Sequence, residues 1–152
     1  MVDGQLAAIG DTAFDAADRL AIVNLFGAYA YGQDERRWDE FRAVFTESPE
    51  FRYEAADGRV IEGIDFVISV TKARQEAFRA ENIQRRHALN SSYFTSQGPS
   101  EASGICYGQV FGTRDGGPPI PDLTAYYEFT AVKQDGVWRL SRWIKHLDQA
   151  NL

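Results

Sequence analysis

With two His and one Cys in 152 residues, this chain has few ways to move a proton near neutral pH. The most informative pair is Asp34 and His87. Asp34 lies in Tyr29-Ala30-Tyr31-Gly32-Gln33-Asp34-Glu35-Arg36-Arg37-Trp38, where a long helix gives way to a shorter one. His87 lies in Arg85-Arg86-His87-Ala88-Leu89-Asn90, at the start of a strand. A carboxylate beside an imidazole is a metal-free proton-transfer device. The carboxylate fixes the tautomer and stabilises the imidazolium, and the second ring nitrogen takes or gives the proton. Each residue also has an ordinary reading. Asp is a favoured N-cap, and a helix is expected from about Arg37. A lone buried histidine commonly bonds a backbone carbonyl. His146, beside Lys145 and Asp148, reads as a solvated surface histidine.

The remaining composition narrows the function class. The net charge of −6 argues against nucleic acid and anionic membranes as partners, since both need basic patches. Arg85-Arg86 is the tight basic pair near the site, and a solvated strand start explains it. Cys106 stands alone, which excludes an intrachain disulfide and a cysteine-based metal site. Two His and one Cys far apart in sequence make zinc an unexpected ligand. No glycine-rich phosphate loop follows a strand, so no cofactor is expected. Residues 1–12 lack the basic start and apolar run of a signal peptide. No apolar stretch approaches membrane-spanning length, and the expected location is the cytoplasm. Three Trp, seven Tyr and ten Phe suit an apolar pocket, and suit an ordinary packed core equally.

The elements that must position Asp34 and His87 are legible in the periodicity. The length points to one domain over residues 1–152, with 1–12 a loose arm. Asp15 or Thr12 caps a helix from about Ala16 to Tyr31, apolar over so much of its circumference that burial on more than one side is expected. A second helix spans about Arg37 to Phe45 and ends at Ser48-Pro49. Phe51, Tyr53 and Ala55 alternate with Arg52 and Glu54 as a half-buried strand. Asp57-Gly58 turns it into Val60-Ile61-Glu62. A third helix runs from Ile64 to about Asn82. Strands are expected at about 84–96, 101–113, 122–134 and 137–147. Gly104, Gly108 and Gly112 recur in one of them, where glycine permits bending or close approach. Ala125, Tyr127 and Phe129 share a face assigned to the interior. Helices first and antiparallel strands after mean an α+β domain, with a curved antiparallel sheet closed into a cone by the N-terminal helices.

This order resembles the SnoaL-like group of the NTF2-like superfamily of α+β cones, which includes scytalone dehydratase and hexachlorocyclohexane dehydrochlorinase. The resemblance covers about residues 16–147. It is carried by Asp34…Trp38, the Phe51-Arg52-Tyr53 strand, Arg86-His87, and Asp135-Gly136-Val137-Trp138 leading into the last strand. It implies that Asp34 and His87 form the proton-transfer pair. It also implies that Tyr53, matching a first-strand tyrosine that polarises a carbonyl through water, assists. Other pocket positions of scytalone dehydratase differ: Gln33 replaces a second tyrosine, Ala125 a serine and Tyr127 an asparagine. The proton-transfer core is kept while the substrate contacts are not.

The expected function is therefore a cofactor-independent lyase or isomerase, of dehydratase or cyclase type, acting on a carbonyl-activated, polycyclic or aromatic-like small molecule. His87 is the general base, Asp34 its orienting carboxylate and Tyr53 a hydrogen-bond donor to the oxygen that gains charge. Tyr29, Tyr31, Trp38, Tyr93, Tyr107, Tyr127 and Phe129 are candidates for the pocket wall, each with core packing as the alternative. Two other readings share the fold: a non-catalytic binding or assembly module, and the small subunit of a ring-hydroxylating oxygenase. A homo-oligomer, dimer or trimer, is expected from the broad outer face of such a sheet.

Overall fold

The computed structural model describes residues 5–6, 9–10 and 14–150. Helix α1 (Ala16–Asp34) starts where Asp15 accepts a hydrogen bond from Asp18 N at 2.9 Å on its carboxylate. That is an N-cap satisfying one of the helix's free donors; the alternative cap, Thr12, lies outside the described residues. Ile22, Phe26, Tyr29 and Gln33 recur at helical spacing and are buried. Leu20, Val23 and Tyr31 are exposed, so the expected burial on more than one side is not found over most of the helix. Helix α2 (Trp38–Ala43) follows through a tight turn and packs back on α1.

Strand β1 (Gln5–Leu6) pairs with the far end of β4 (Ile83–Gln97), so part of the expected loose arm joins the sheet edge. Strand β2 (Phe45–Glu54) begins earlier than expected. The chain passes through Ser48-Pro49 as extended backbone. The register with β7 (Val137–Leu147) breaks between Phe45 and Glu50, and a proline, which lacks a ladder donor, is tolerated at such an irregularity. β3 (Val60–Glu62) completes the hairpin, and helix α3 (Ile64–Ala80) lies against β2 and β4. β5 (Glu101–Arg114) and β6 (Ile120–Gln134) continue the meander.

The sheet order is β1-β4-β5-β6-β7-β2-β3. All neighbours are antiparallel except β2 and β7, which run parallel, so the sheet is mixed and open. Register breaks in β4, between Asn90 and Tyr93 and between Phe94 and Ser96, add residues to one strand and bend it. The result is a curved sheet whose concave side is closed by helices. Aromatic side chains fill that side: Phe26, Tyr29, Phe41, Tyr127, Phe129 and Trp143 are all buried. Gly104 permits a close approach, since a Cβ there would collide with the Tyr93 carbonyl oxygen. Gly108 makes room for a ring instead, because a Cβ there would fall on Tyr127 Cε2. Gly112 has no such role.

Candidate active site

Asp34 is the last residue of α1, and His87 lies near the start of β4. The two elements pack against each other, which brings the residues together. Both carboxylate oxygens are used. Asp34 Oδ1 is 2.6 Å from His87 Nδ1, and Oδ2 accepts from the His87 backbone N–H at 2.8 Å. One carboxylate thus clamps the ring and the backbone of the same residue. An ionised carboxylate only accepts, so Nδ1 carries the ring proton and Nε2 keeps its lone pair. The His87 side chain is 1% exposed, and Nε2 is buried without a hydrogen-bond partner. Burial pushes the His87 pKa below its ordinary value, outweighing the opposing pull of Asp34; the charges of Lys145 and Arg85 lower it further. The imidazole is therefore a neutral base at pH 7. Asp34 does not cap α2, whose N-cap is Arg37 with no side-chain bond.

The sheet register shows what shares the concave face with His87. One row across the strands holds His87, Val110 and Leu123. The next inward row holds Leu89, Gly108, Ala125 and Leu147. The row after that holds Cys106, Tyr127, Lys145 and Tyr53. The middle row carries the small residues Gly108 and Ala125, and the Tyr127 ring lies across Gly108. Tyr53 shares a hydrogen bond of 2.7 Å with Tyr29 through their hydroxyls. Tyr127 Oη lies near the Tyr29 hydroxyl without meeting hydrogen-bond geometry and has no partner. Desolvation holds all three tyrosines protonated, well above the usual phenol value. It also pushes the Cys106 thiol up to about 12, which makes it an unreactive core residue.

Lys145 is the feature that sequence reasoning missed. It is 4% exposed, and its Nζ stands 5.0 Å from the centroid of Tyr53 and 5.7 Å from that of Tyr127. Burial first, then the charges of Arg85 and Arg74, bring its pKa down to about 7. Arg85 was missed too. It is 3% exposed, not a solvated strand start. It pairs with Asp122, and its guanidinium stacks 4.6 Å over the Phe78 ring. The signal for Arg85 was strand alternation, because residues 85 and 87 share a face. A cavity of about 190 Å³, walled by Phe78, Ile83, Gly112, Ile120 and Pro121, opens beside Arg85 and Asp122. On the other side of the pair, a groove of about 570 Å³ between α1 and β4 reaches Asp34 and His87, with Val23, Gly27, Tyr31 and Leu89 on its walls.

Other expected wall residues lie elsewhere. Tyr107 is 51% exposed and pairs with Tyr126 on the convex face, because it alternates with the inward Cys106. Tyr93 is exposed as well. Trp38 packs on Phe41 and carries the Lys72 ammonium over its ring, outside the walls of the groove. Phe129 is core, against Phe26 and Phe94. His146 is not a solvated histidine: Nδ1 is 2.9 Å from Glu54, Nε2 is 2.9 Å from Glu128, and its ring stacks on Tyr126.

Solved structures share this architecture. ActVI-ORFA from Streptomyces coelicolor superposes with a TM-score of 0.73 at 20% identity, covering 88% of this chain and 98% of that one. Aln2 from another Streptomyces gives 0.73 at 18%, covering 89% and 94%. The beta subunit of a putative aromatic-ring-hydroxylating dioxygenase from Novosphingobium aromaticivorans gives 0.68 at 19%, covering 90% and 92%. At these identities the likeness is one of fold. Among curated proteins the sequence finds no match. The SnoaL-like domain family matches residues 15–144, the span that carries both Asp34 and His87, and the chain belongs to that family.

Proposed function

We propose that this protein is a cofactor-independent proton-transfer enzyme, a lyase or isomerase of dehydratase or cyclase type, with His87 as general base. One observation carries the reading: a neutral imidazole, locked by Asp34 on one nitrogen, holds an unpartnered lone pair on the other inside the protein. A buried polar atom without a partner costs about 1–3 kcal/mol. On His87 that atom carries the lone pair a general base needs, and a substrate proton would supply the missing contact. The SnoaL-like family includes polyketide cyclases and dehydratases, which is the chemistry this arrangement suits. A purely structural subunit has no need of an Asp–His dyad.

His87 Nε2 removes a proton from carbon next to a carbonyl. The C–H electron pair becomes the new C=C bond, and the carbonyl pair moves to oxygen. Asp34 stabilises the imidazolium that forms. The oxygen pair then reforms the carbonyl and the C=C pair has three fates: it shifts to expel a β-hydroxyl, which takes the proton from His87 and leaves as water; it takes the proton at a conjugated carbon, giving isomerisation; or it attacks a second carbonyl carbon, whose oxygen takes the proton as the ring closes. Tyr53, bonded to Tyr29, orders the tyrosine cluster, while Tyr127 offers the hydroxyl that has no partner. We also infer self-association through the convex face, where Tyr93, Tyr107 and Tyr126 are exposed; light scattering distinguishes dimer, trimer and monomer.

The test follows hydrogen–deuterium exchange at the carbon next to the carbonyl of a bicyclic aryl ketone, by NMR in D₂O. Wild type accelerates exchange, and His87→Ala and Asp34→Asn each lose about 10²–10⁴-fold with unchanged circular dichroism. Full exchange activity in either variant contradicts the proposal.

A further inference from the structure

We propose that Lys145 is a substrate-binding residue: with the Tyr127 hydroxyl it holds the oxygen that becomes anionic, which makes the preferred substrates enolisable ketones and phenols with an acidic hydroxyl. This rests on the general-base reading of His87 and names the other end of the same site. The argument begins with placement. The register puts Lys145 between Tyr53 and Tyr127 on the concave face, and its ammonium is within about 6 Å of both ring centroids. Among the described residues no carboxylate lies within ion-pair distance of it. Arg85, the next cation, is answered by Asp122. Lys145 is thus a buried amine whose contacts are ring faces, and a buried charge is tolerated when an opposite charge meets it.

The geometry links this residue to the base. The row between them is made of Gly108 and Ala125, and Tyr127 leans across Gly108 toward the His87 row. The field of Lys145 reaches His87 and opposes its protonation. Tyr127 Oη and His87 Nε2 are both buried and unpartnered. A base at one end and a cationic donor with a free hydroxyl at the other is the layout that deprotonation next to a carbonyl requires. When His87 takes the carbon-bound proton, the negative charge appears on oxygen, and Lys145 as ammonium and Tyr127 as phenol donate to it. With its pKa lowered to about 7, Lys145 holds its proton only in part near neutral pH; an anion beside it draws the proton back. The other titratable groups around this interior are Arg74, Arg85, His87, Tyr29, Tyr53 and Cys106, with the carboxylates Asp122, whose charge favours the ammonium of Lys145, and Asp34, bonded to His87.

The experiment binds 4-nitrophenol, whose phenolate absorbs visible light and whose neutral form does not, and titrates the bound probe with pH. Nitrobenzene serves as the uncharged control. Wild type is expected to hold the probe as phenolate at a pH at least about one unit below that of the free probe, a roughly tenfold preference for the anion. Lys145→Met is expected to lose that preference while still binding nitrobenzene, and His87→Ala is expected to keep it. The proposal is overturned if Lys145→Met retains the full phenolate preference, or if folded wild type takes up neither probe. Because the readout is binding, its failure is separate from failure of the exchange assay, which tests His87.

Discussion

The two faces of the sheet handle charge in opposite ways, and strand β7 shows both at adjacent residues. On the convex face, Glu50, Arg52, Glu54, His146, Glu128 and Arg142 form a closed ring of polar contacts around the buried Ile144. Each carboxylate there meets two basic side chains, and each basic side chain two carboxylates. On the concave face, Lys145 meets tyrosine rings, and Tyr127 and His87 keep polar atoms without partners. The chain's two histidines divide the same way. His146 is held by two carboxylates, which use both nitrogens; His87 is held by one, which leaves Nε2 without a partner. A satisfied network contributes to holding the strands in register. An unsatisfied one lowers stability.

That contrast sets the order of expected effects. The largest is on turnover: Asp34→Asn or His87→Ala loses about 10²–10⁴-fold in exchange activity, whereas His146→Gln leaves it unchanged. Next is stability. Asp34→Ala leaves the ring and backbone N–H of buried His87 without partners and costs about 1–3 kcal/mol for each in denaturant melts. Lys145→Met moves stability the other way, raising it by a few kcal/mol at pH 7, a gain at the expense of binding the anion. The pH dependence checks the sign. The Lys145 pKa falls from 10.5 to about 7 in the fold, so between those values the unfolded chain holds a proton the native state lacks. Wild-type stability therefore rises as pH climbs through that window, and Lys145→Met removes that contribution. His87, also lowered, adds a loss of stability as pH drops below its ordinary value of 6.5 toward the lower native one. The smallest effect is on the ring: His146→Ala costs at most about 1 kcal/mol, less in high salt. A cost there as large as that of Asp34→Ala would erase the distinction between the faces.

Much of this was legible in the chain. Periodicity placed the three helices and the four long strands, and the order of elements brought Asp34 and His87 together. Their roles as base and orienting group rested on resemblance, since nothing local in either segment shows a partner more than fifty positions away. Lys145 was hidden by a bulge. Trp138 and Leu140 point inward at even numbers, yet Trp143, Lys145 and Leu147 point inward at odd ones. Thr130 faces Arg142 and Ala131 faces Leu140, so Ser141 is an extra residue that flips every later side chain to the other face. Alternation carried onward from Trp138 places Lys145 outside, whereas the outward reading of His146 comes from its polar neighbours Lys145 and Asp148 and not from alternation. Tyr107 was misread for a related reason. Which of Cys106 and Tyr107 faces inward depends on register with Tyr127, and one strand alone does not encode it. The early start of β2 was masked by Pro49, whose missing donor falls where the register with β7 is already broken.

The most direct test is ¹⁵N NMR of the His87 imidazole across pH, in wild type and Asp34→Asn. The expected wild-type spectrum shows a neutral ring with the proton on Nδ1 and a bare Nε2, persisting below the ordinary histidine pKa, and Asp34→Asn disturbs that tautomer. A ring protonated on Nε2, or one that becomes cationic at or above the ordinary value, contradicts a buried base poised to accept a proton.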